Sequence, residues 1–380
     1  MLRARLLNRK IEKIMGKRVI VCGGGTGGHI FPALSIANAL RRLEPDTEIL
    51  YVGALGRMEM DKVPEAGYRI IGLPVMGLKR KITLENIKVL FNLLKSLRMA
   101  KKIIKDFKPD AVVGVGGYAS GPVGKMAAKC GVPLLLQEQN SYAGVTNKLL
   151  GKKASKICVA YDGMERFFPA EKIIKTGNPV RKDLLDALNS RDKGIEFYGL
   201  DANAKTILIT GGSLGAGTIN SAIEKNLDKI AEWKDVQVLW QCGGFYYDAI
   251  VSRVGDKLPK NVKLLPFLKR MDYAYAVADL VVARAGASTI SELCLLGKAA
   301  ILVPSPNVAE DHQTKNAMAL VNRGAAIMVK DSEADGKLCE MVTCTISDAE
   351  KLLSLQVEIK KMAFLNSDEV IARHVLEMMK

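Results

Sequence analysis

Residues 18–33 read Arg18-Val19-Ile20-Val21-Cys22-Gly23-Gly24-Gly25-Thr26-Gly27-Gly28-His29-Ile30-Phe31-Pro32-Ala33. A short apolar run, Val19 to Cys22, empties through glycines into a helix whose opening the pattern predicts near Phe31-Pro32. Such a junction presents unpaired backbone N–H groups and the positive end of a helix dipole. Glycines let a ligand approach the main chain closely, so the loop suits a diphosphate or a sugar hydroxyl. Pro32 fits a first helical turn, where its missing N–H costs nothing. His29, one of three histidines, sits at the mouth of the loop. Its ordinary pKa near neutrality makes it the natural proton acceptor there.

Gly23, Gly25 and Gly28 also match the G-x-G-x-x-G spacing of a dinucleotide-binding turn. That chemistry needs an acidic residue at the end of the next strand to hold a ribose. The next strand, Glu48 to Val52, runs instead into Gly53-Ala54-Leu55-Gly56, which argues against a nicotinamide cofactor. One such loop alone is equally compatible with a tight turn that packs a helix on a strand.

With 380 residues the chain can build two or three domains, each with its own core. The net charge of +16 invites nucleic acid, anionic lipid or phosphorylated substrates. The aromatic-plus-basic spacing of common RNA-binding modules is absent, so nucleic acid is not expected as a partner. The basic residues crowd residues 1–18 and a second zone from Lys79 to Lys108. Seven cysteines without a C-x-x-C pair point to reduced thiols in a cytosolic setting, with neither a disulfide framework nor a zinc site. No apolar run reaches the length of a membrane span. Residues 1–16 lack the continuous apolar core of a secretory signal, and read as a basic extension, either a solvated tail or an amphipathic surface segment.

Outward from residues 18–33 the chain alternates strand and helix. From Leu84 to Phe107, Ile87, Leu90, Phe91, Leu94, Leu97 and Ile104 recur at helical spacing, with lysines on the other face. A second glycine loop, Gly116-Gly117-Tyr118-Ala119-Ser120-Gly121-Pro122, follows the strand Ala111–Val115. Gly177-Asn178-Pro179-Val180-Arg181 is a breaker cluster that reads as a hinge. Beyond it the grammar restarts, with strand Thr206–Thr210 running into Gly211-Gly212-Ser213-Leu214-Gly215-Ala216-Gly217, and a later junction at Arg284-Ala285-Gly286-Ala287. The alternation predicts an α/β chain of two doubly wound parallel sheets, with ligands at the strand C-termini in a cleft between them.

These stretches, together with Glu138-Gln139-Asn140, occur in the order found in the MurG family of lipid-linked N-acetylglucosaminyltransferases, which the chain resembles from Arg18 to its C-terminus. The resemblance implies a GT-B type fold, two Rossmann-like domains facing a central cleft. The first would span 17–178, the second 179–359, and a C-terminal helix of about 360–380 would cross back to the first. It implies an inverting transfer of N-acetylglucosamine from UDP-N-acetylglucosamine to the C4 hydroxyl of undecaprenyl-diphosphate-linked N-acetylmuramoyl-pentapeptide, in peptidoglycan synthesis. The enzyme would work as a peripheral protein on the cytoplasmic face of the plasma membrane.

Carried over by residue, the resemblance gives the donor diphosphate to Ser213 and its neighbouring amides, and places Arg181 near the nucleotide. Leu268 would offer its backbone to the uracil. Ala287, Ser288, Thr289, Ile290, Ser291 and Glu292 would form the sugar and ribose wall, with Glu292 accepting ribose hydroxyls. Gln313 would bind the donor sugar, with Asn316 beside it. Thr26, Gly27, Gly28 and Asn140 would reach the donor from the first domain. Tyr118 and Asn140 serve either as turn residues or as acceptor contacts. A carboxylate suits two adjacent hydroxyls, whereas backbone donors suit the charge that develops on a departing diphosphate, at about 3 kcal/mol each. His29 is the first choice as general base, or else it only positions the acceptor, and Glu138 is the alternative base. His312 reads as donor wall and His374 as structural. No cofactor is demanded and no cluster has metal-ligand spacing, although stimulation by a divalent cation stays compatible. Leu214 stands where the family commonly has glutamine.

Val75, Leu78, Lys79, Arg80, Lys81 and Ile82 interleave apolar and basic side chains and read as membrane-facing, since each basic group near an anionic leaflet contributes about 1 kcal/mol. The competing readings are a transferase acting on diacylglycerol or a sterol, a UDP-sugar epimerase of the same architecture, and a basic nucleotide- or RNA-binding module.

Overall fold

The computed structural model describes residues 16–76, 84–180, 183–186, 189–212 and 214–379. Arg181, Ser213 and the run Leu78, Lys79, Arg80, Lys81 and Ile82 lie outside the described residues. The chain divides into two compact units, one running up to Val180 and resuming at Asn366, the other filling the interval to Leu365.

In the first unit β1 (Arg18–Cys22), β2 (Glu48–Ala54), β3 (Arg69–Leu73), β4 (Ala111–Gly114), β5 (Leu134–Glu138), β6 (Lys156–Val159) and β7 (Ile173–Lys175) form one sheet in the order β3-β2-β1-β4-β5-β6-β7. Every pairing is parallel. A parallel sheet covered on both faces needs strands that are apolar throughout. Val19 and Val21 of β1 accordingly enter one core cluster, while Ile20 and Cys22 enter the other. Helix α1 (Gly27–Leu43) covers the first of these faces, and α2 (Glu59–Glu65) follows β2. The second face is covered by α3 (Leu84–Phe107), α4 (Ser120–Lys129) and α5 (Val145–Gly151).

Two expectations are corrected here. Helix α1 opens at Gly27, not near Phe31-Pro32, so His29 belongs to its first turn and Pro32 to its second. Pro32 therefore removes the hydrogen bond that would reach the Gly28 carbonyl, instead of sitting where no donor is needed. Val75 is 8% exposed and packs in the core, so it does not face a membrane. The apolar stripe of α3 also divides. Val89, Ala100 and Ile104 are buried, whereas Leu90, Phe91, Leu93 and Leu94 stand exposed.

The second unit repeats the design with β8 (Lys205–Thr210), β9 (Val236–Gln241), β10 (Val262–Leu265), β11 (Leu280–Ala283), β12 (Ala299–Leu302) and β13 (Ile327–Met328), in the order β10-β9-β8-β11-β12-β13 and parallel throughout. Helices α6 (Gly217–Glu224) and α7 (Ala287–Leu296) follow β8 and β11, and α8 (His312–Val321) follows β12. The last helix, α9 (Ser367–Met378), belongs to the first unit. It places Ile371, Ala372 and Val375 in the α1-side core, and Asp368 accepts from Arg42 at 2.6 Å. In each sheet the strand order reverses once, between β1 and β4 and between β8 and β11. The helices that follow those strands lie on opposite faces of the sheet, the arrangement that places a crevice at the switch point.

Candidate active site

At the first switch point the loops after β1 and β4 lie against each other. A Cβ on Gly117 would stand 2.3 Å from the Gly24 carbonyl oxygen, and Gly117 has φ +79°, so only glycine fits. Ser120, at the start of α4, donates to the carbonyls of Cys22 (2.9 Å) and Gly116 (2.8 Å), tying the second loop to β1. The His29 ring flanks Gly116, whose Cβ would come within 3.0 Å of Nε2. Its Nδ1 lies 3.3 Å from the Thr26 hydroxyl. Thr26 and Gly28 are exposed and His29 is half-buried, so this edge is open to a ligand. Tyr118 is exposed on the adjoining loop.

Glu138 ends β5 and is 2% exposed. Its Oε1 accepts from Asn140 N–H (3.1 Å) and Asn140 Nδ2 (3.3 Å), and its Oε2 from Gly144 N–H (3.0 Å) and Asn147 Nδ2 (2.9 Å). Burial pushes its pKa up, opposed by those four donors. Four donors fill the usual lone-pair sites of one carboxylate, so Glu138 holds the turn Asn140–Asn147 in shape. Asn140 serves that turn with both its backbone and its side chain. Beneath it Gln137, Gln139 and Asn178 form a buried polar network. Gln137 Nε2 donates to Asn178 Oδ1 at 3.0 Å and Asn178 Nδ2 to the Gln139 carbonyl at 3.0 Å, which fixes the end of β5 to the Gly177-Asn178-Pro179 segment.

The second switch point uses other parts. Thr210 ends β8, donates to Gln241 Oε1 (2.6 Å) and accepts from Gly212 N–H (3.1 Å), while Gln241 donates to the Pro266 carbonyl (3.3 Å). This chain fastens the ends of three strands side by side. Gly215 has φ +77° and its Cβ would meet the Cys242 carbonyl at 2.0 Å, so the loop lies flush on the end of β9. Helices α6 and α7 start with neither a side-chain cap nor an acidic residue in the first turn, which leaves their N–H groups and dipoles for an anion. Arg284 Nη1 donates to the Val303 carbonyl (3.1 Å) and pairs with Asp331, whose other oxygen accepts from Thr218 at 3.0 Å. Asp331 thereby links the β11 loop to α6.

On α7, Glu292 is half-buried and its Oε2 accepts from Tyr275 at 2.9 Å. Ser291 bonds back to the Ala287 carbonyl, and the Ser288 hydroxyl is buried with no protein partner among the described residues. Ile290 (2% exposed) and Leu268 (6%) turn their side chains into the core, so only their main chains can reach a ligand. Asn316 is fully buried and reaches for the Ala285 carbonyl at 3.5 Å, under the loop that opens α7. Gln313 is half-buried, with its carbonyl taken by Ser305 N–H at 2.8 Å. Glu59, Thr210, Gln241 and Asp331 are invisible to motif reading, because each bonds a partner far away in sequence.

Comparison with known proteins agrees with this geometry. Residues 19–159 match the glycosyltransferase family 28 N-terminal domain, and residues 206–373 its C-terminal domain. The UDP-N-acetylglucosamine–N-acetylmuramyl-(pentapeptide) pyrophosphoryl-undecaprenol N-acetylglucosamine transferase of Parabacteroides distasonis is 57% identical over 360 residues, covering 95% of this chain and 98% of the relative. The protein of the same name from Flavobacterium psychrophilum is 49% identical over 363 residues, covering 96% and 98%. The crystal structure of Acinetobacter baumannii MurG superposes with a TM-score of 0.75 at 30% identity, over 95% of this chain and 99% of that one. A UDP-GlcNAc 2-epimerase from Neisseria meningitidis, at TM-score 0.68 and 17% identity over 95% of this chain and 100% of that one, shares the fold alone. With near-full-length identity above one half and both sheets of the GT-B design, the chain belongs to the MurG family of glycosyltransferases.

Proposed function

We infer that this chain transfers N-acetylglucosamine from UDP-N-acetylglucosamine to the C4 hydroxyl of undecaprenyl-diphosphate-linked N-acetylmuramoyl-pentapeptide, with inversion at the anomeric carbon. The observation that carries the reading is identity of 57% over nearly the whole of both chains with a transferase named for that reaction. The epimerase compared above is 17% identical and shares the fold alone, so it gives that alternative no comparable support.

In this reading His29 takes the proton of the acceptor hydroxyl as its oxygen bonds to the anomeric carbon and the bond to UDP breaks. The half-buried ring beside an exposed Thr26 supports His29 over Glu138, whose lone pairs are already engaged. The uncapped start of α6, with Ser213 and Arg181, takes the departing diphosphate. Leu268 main chain meets the uracil, Glu292 the ribose hydroxyls, and Ser288, Thr289 and Gln313 the sugar. No cofactor is needed for this displacement, and transfer should persist in excess chelator.

The acceptor is a lipid, and α3 supports attachment of the first unit to an anionic membrane surface. Leu90 (58% exposed), Phe91 (69%) and Leu94 are neighbours on one helical face, with exposed Met76 close by, and Arg98, Lys101 and Lys105 continue that face. Apolar side chains followed by basic ones give reversible peripheral binding. Among the described residues no helix is long and apolar enough to cross a membrane.

The deciding experiment is label transfer from UDP-N-acetylglucosamine to a muramoyl-pentapeptide lipid analogue. Transfer supports the reading. Hydrolysis or epimerisation of the donor without transfer overturns it.

A further inference from the structure

Under the first glycine loop lies a carboxylate to which no motif points. Glu59 opens α2 and is fully buried. Its two oxygens accept from the Gly25 N–H at 3.1 and 3.0 Å, and Oε1 also accepts from the Ala54 N–H at 2.9 Å. Two glycines make room for it. A Cβ on Gly24 would lie 2.0 Å from Oε1, and one on Gly53 would lie 2.6 Å from the Glu59 Cγ. Among the described residues no lysine or arginine pairs with it, and a buried carboxylate held by amides alone is costly to keep. Gly25 is the residue from which the chain turns into Thr26 and α1, and Thr26 and His29 meet four residues on.

We propose that Glu59 is a positioning residue for the transfer reaction: it fixes the Gly25 amide to the end of β2 and thereby sets the direction in which α1 presents His29. The carboxylate also consumes the Gly25 N–H and puts a negative charge beneath the loop. This loop is therefore reserved for an uncharged acceptor hydroxyl, and the diphosphate is left to the second unit. The inference rests on the transferase reading above and deepens it.

The test uses the full chain with UDP-N-acetylglucosamine and the lipid analogue, comparing wild type, Glu59→Gln and Glu59→Asp. The glutamine keeps the shape but turns an NH2 group toward an N–H donor, and the aspartate keeps the charge but is one methylene short. The expected result for Glu59→Gln is a fall in kcat of about 10- to 100-fold, with KM for the donor within about twofold of wild type. The ascending limb of the pH–rate profile should also move to lower pH, because removing a neighbouring anion disfavours the imidazolium of His29. Glu59→Asp should recover part of kcat and return the limb toward wild type. Equal kcat per folded molecule, or a lower plateau with the limb unmoved, would overturn the proposal and leave Glu59 as mere scaffolding. Should Glu59→Gln not fold, Glu59→Asp decides through kcat: a fall in kcat with KM for the donor within about twofold of wild type supports the proposal, and kcat equal to wild type overturns it. Absence of wild-type transfer would sink the transferase reading itself, an outcome separable from unaltered kinetics of the variants.

Discussion

The two sheets carry the same strand–glycine–helix junction at the same topological point, yet the two junctions are braced by different chemistry. After β1 the loop amide of Gly25 is held by the buried carboxylate of Glu59. After β8 the loop amide of Gly212 is held by the neutral hydroxyl of Thr210. Both following helices lack side-chain caps, so both offer a positive dipole end. Coulomb's law then separates them, because the carboxylate under the first loop has no basic partner among the described residues, whereas Asp331 beside the second loop is paired with Arg284. A glycine loop is thus an open-ended device, and the residue beneath it decides which ligand it suits.

The largest expected effect breaks the comparison if it fails. His29→Ala should lower kcat by about 10²- to 10⁴-fold, the range for loss of a general base, with donor affinity retained in ligand-protected melting. Loss of donor affinity instead would place the donor, not the acceptor, on the first loop. Glu292→Ala should do the reverse and raise KM for UDP-N-acetylglucosamine by about 10- to 100-fold, the worth of charge-assisted hydrogen bonds to a sugar hydroxyl. It also removes the carboxylate that accepts from the buried hydroxyl of Tyr275, so Glu292→Gln, which keeps an acceptor for that group, should recover part of the binding.

Much of this was legible before any coordinates. Parallel strands buried on both faces are written as continuous apolar runs such as Val19–Cys22 and Ala111–Val113, and glycine junctions mark their C-terminal ends. The polar braces were not legible. Glu59 acts on Gly25 from 34 positions away and Asp331 on Thr218 from 113, and neither sits in a local pattern. The stripe on α3 misled for a different reason. Helical spacing identifies a face but cannot say whether protein or something else covers it, so Leu90 and Phe91 read like Ile104 although only Ile104 is buried. Pro32 misleads because its habit of starting helices points past Gly27 and Gly28, two residues of low helix propensity that nonetheless open α1.

The exposed face of α3 offers a smaller and separable effect. Phe91→Asp removes about 1.5–3 kcal/mol of burial if that ring enters a lipid interface, and should weaken binding to anionic vesicles by about tenfold or more. Transfer to a short-chain acceptor in detergent should survive. Vesicle binding unchanged by Phe91→Asp would mean that α3 is covered by something other than lipid.

The smallest effect concerns how separately the two units melt. Asp368 on α9 is 5% exposed at its side chain and pairs with Arg42 on α1, although α9 follows the whole of the second unit in sequence. Arg42 is half-exposed, so the pair is screened on one side, and Asp368→Asn should cost only about 1 kcal/mol. In a unit of this size that lowers the midpoint by about 2–4 °C. Calorimetry with and without UDP-N-acetylglucosamine sharpens the contrast. If the units unfold independently, Asp368→Asn lowers only the transition of the first unit, while the donor raises only that of the second. If both transitions move together under either change, the chain melts as one cooperative body, and the contrast between the two junctions is then one of ligand chemistry alone, with no difference in stability behind it.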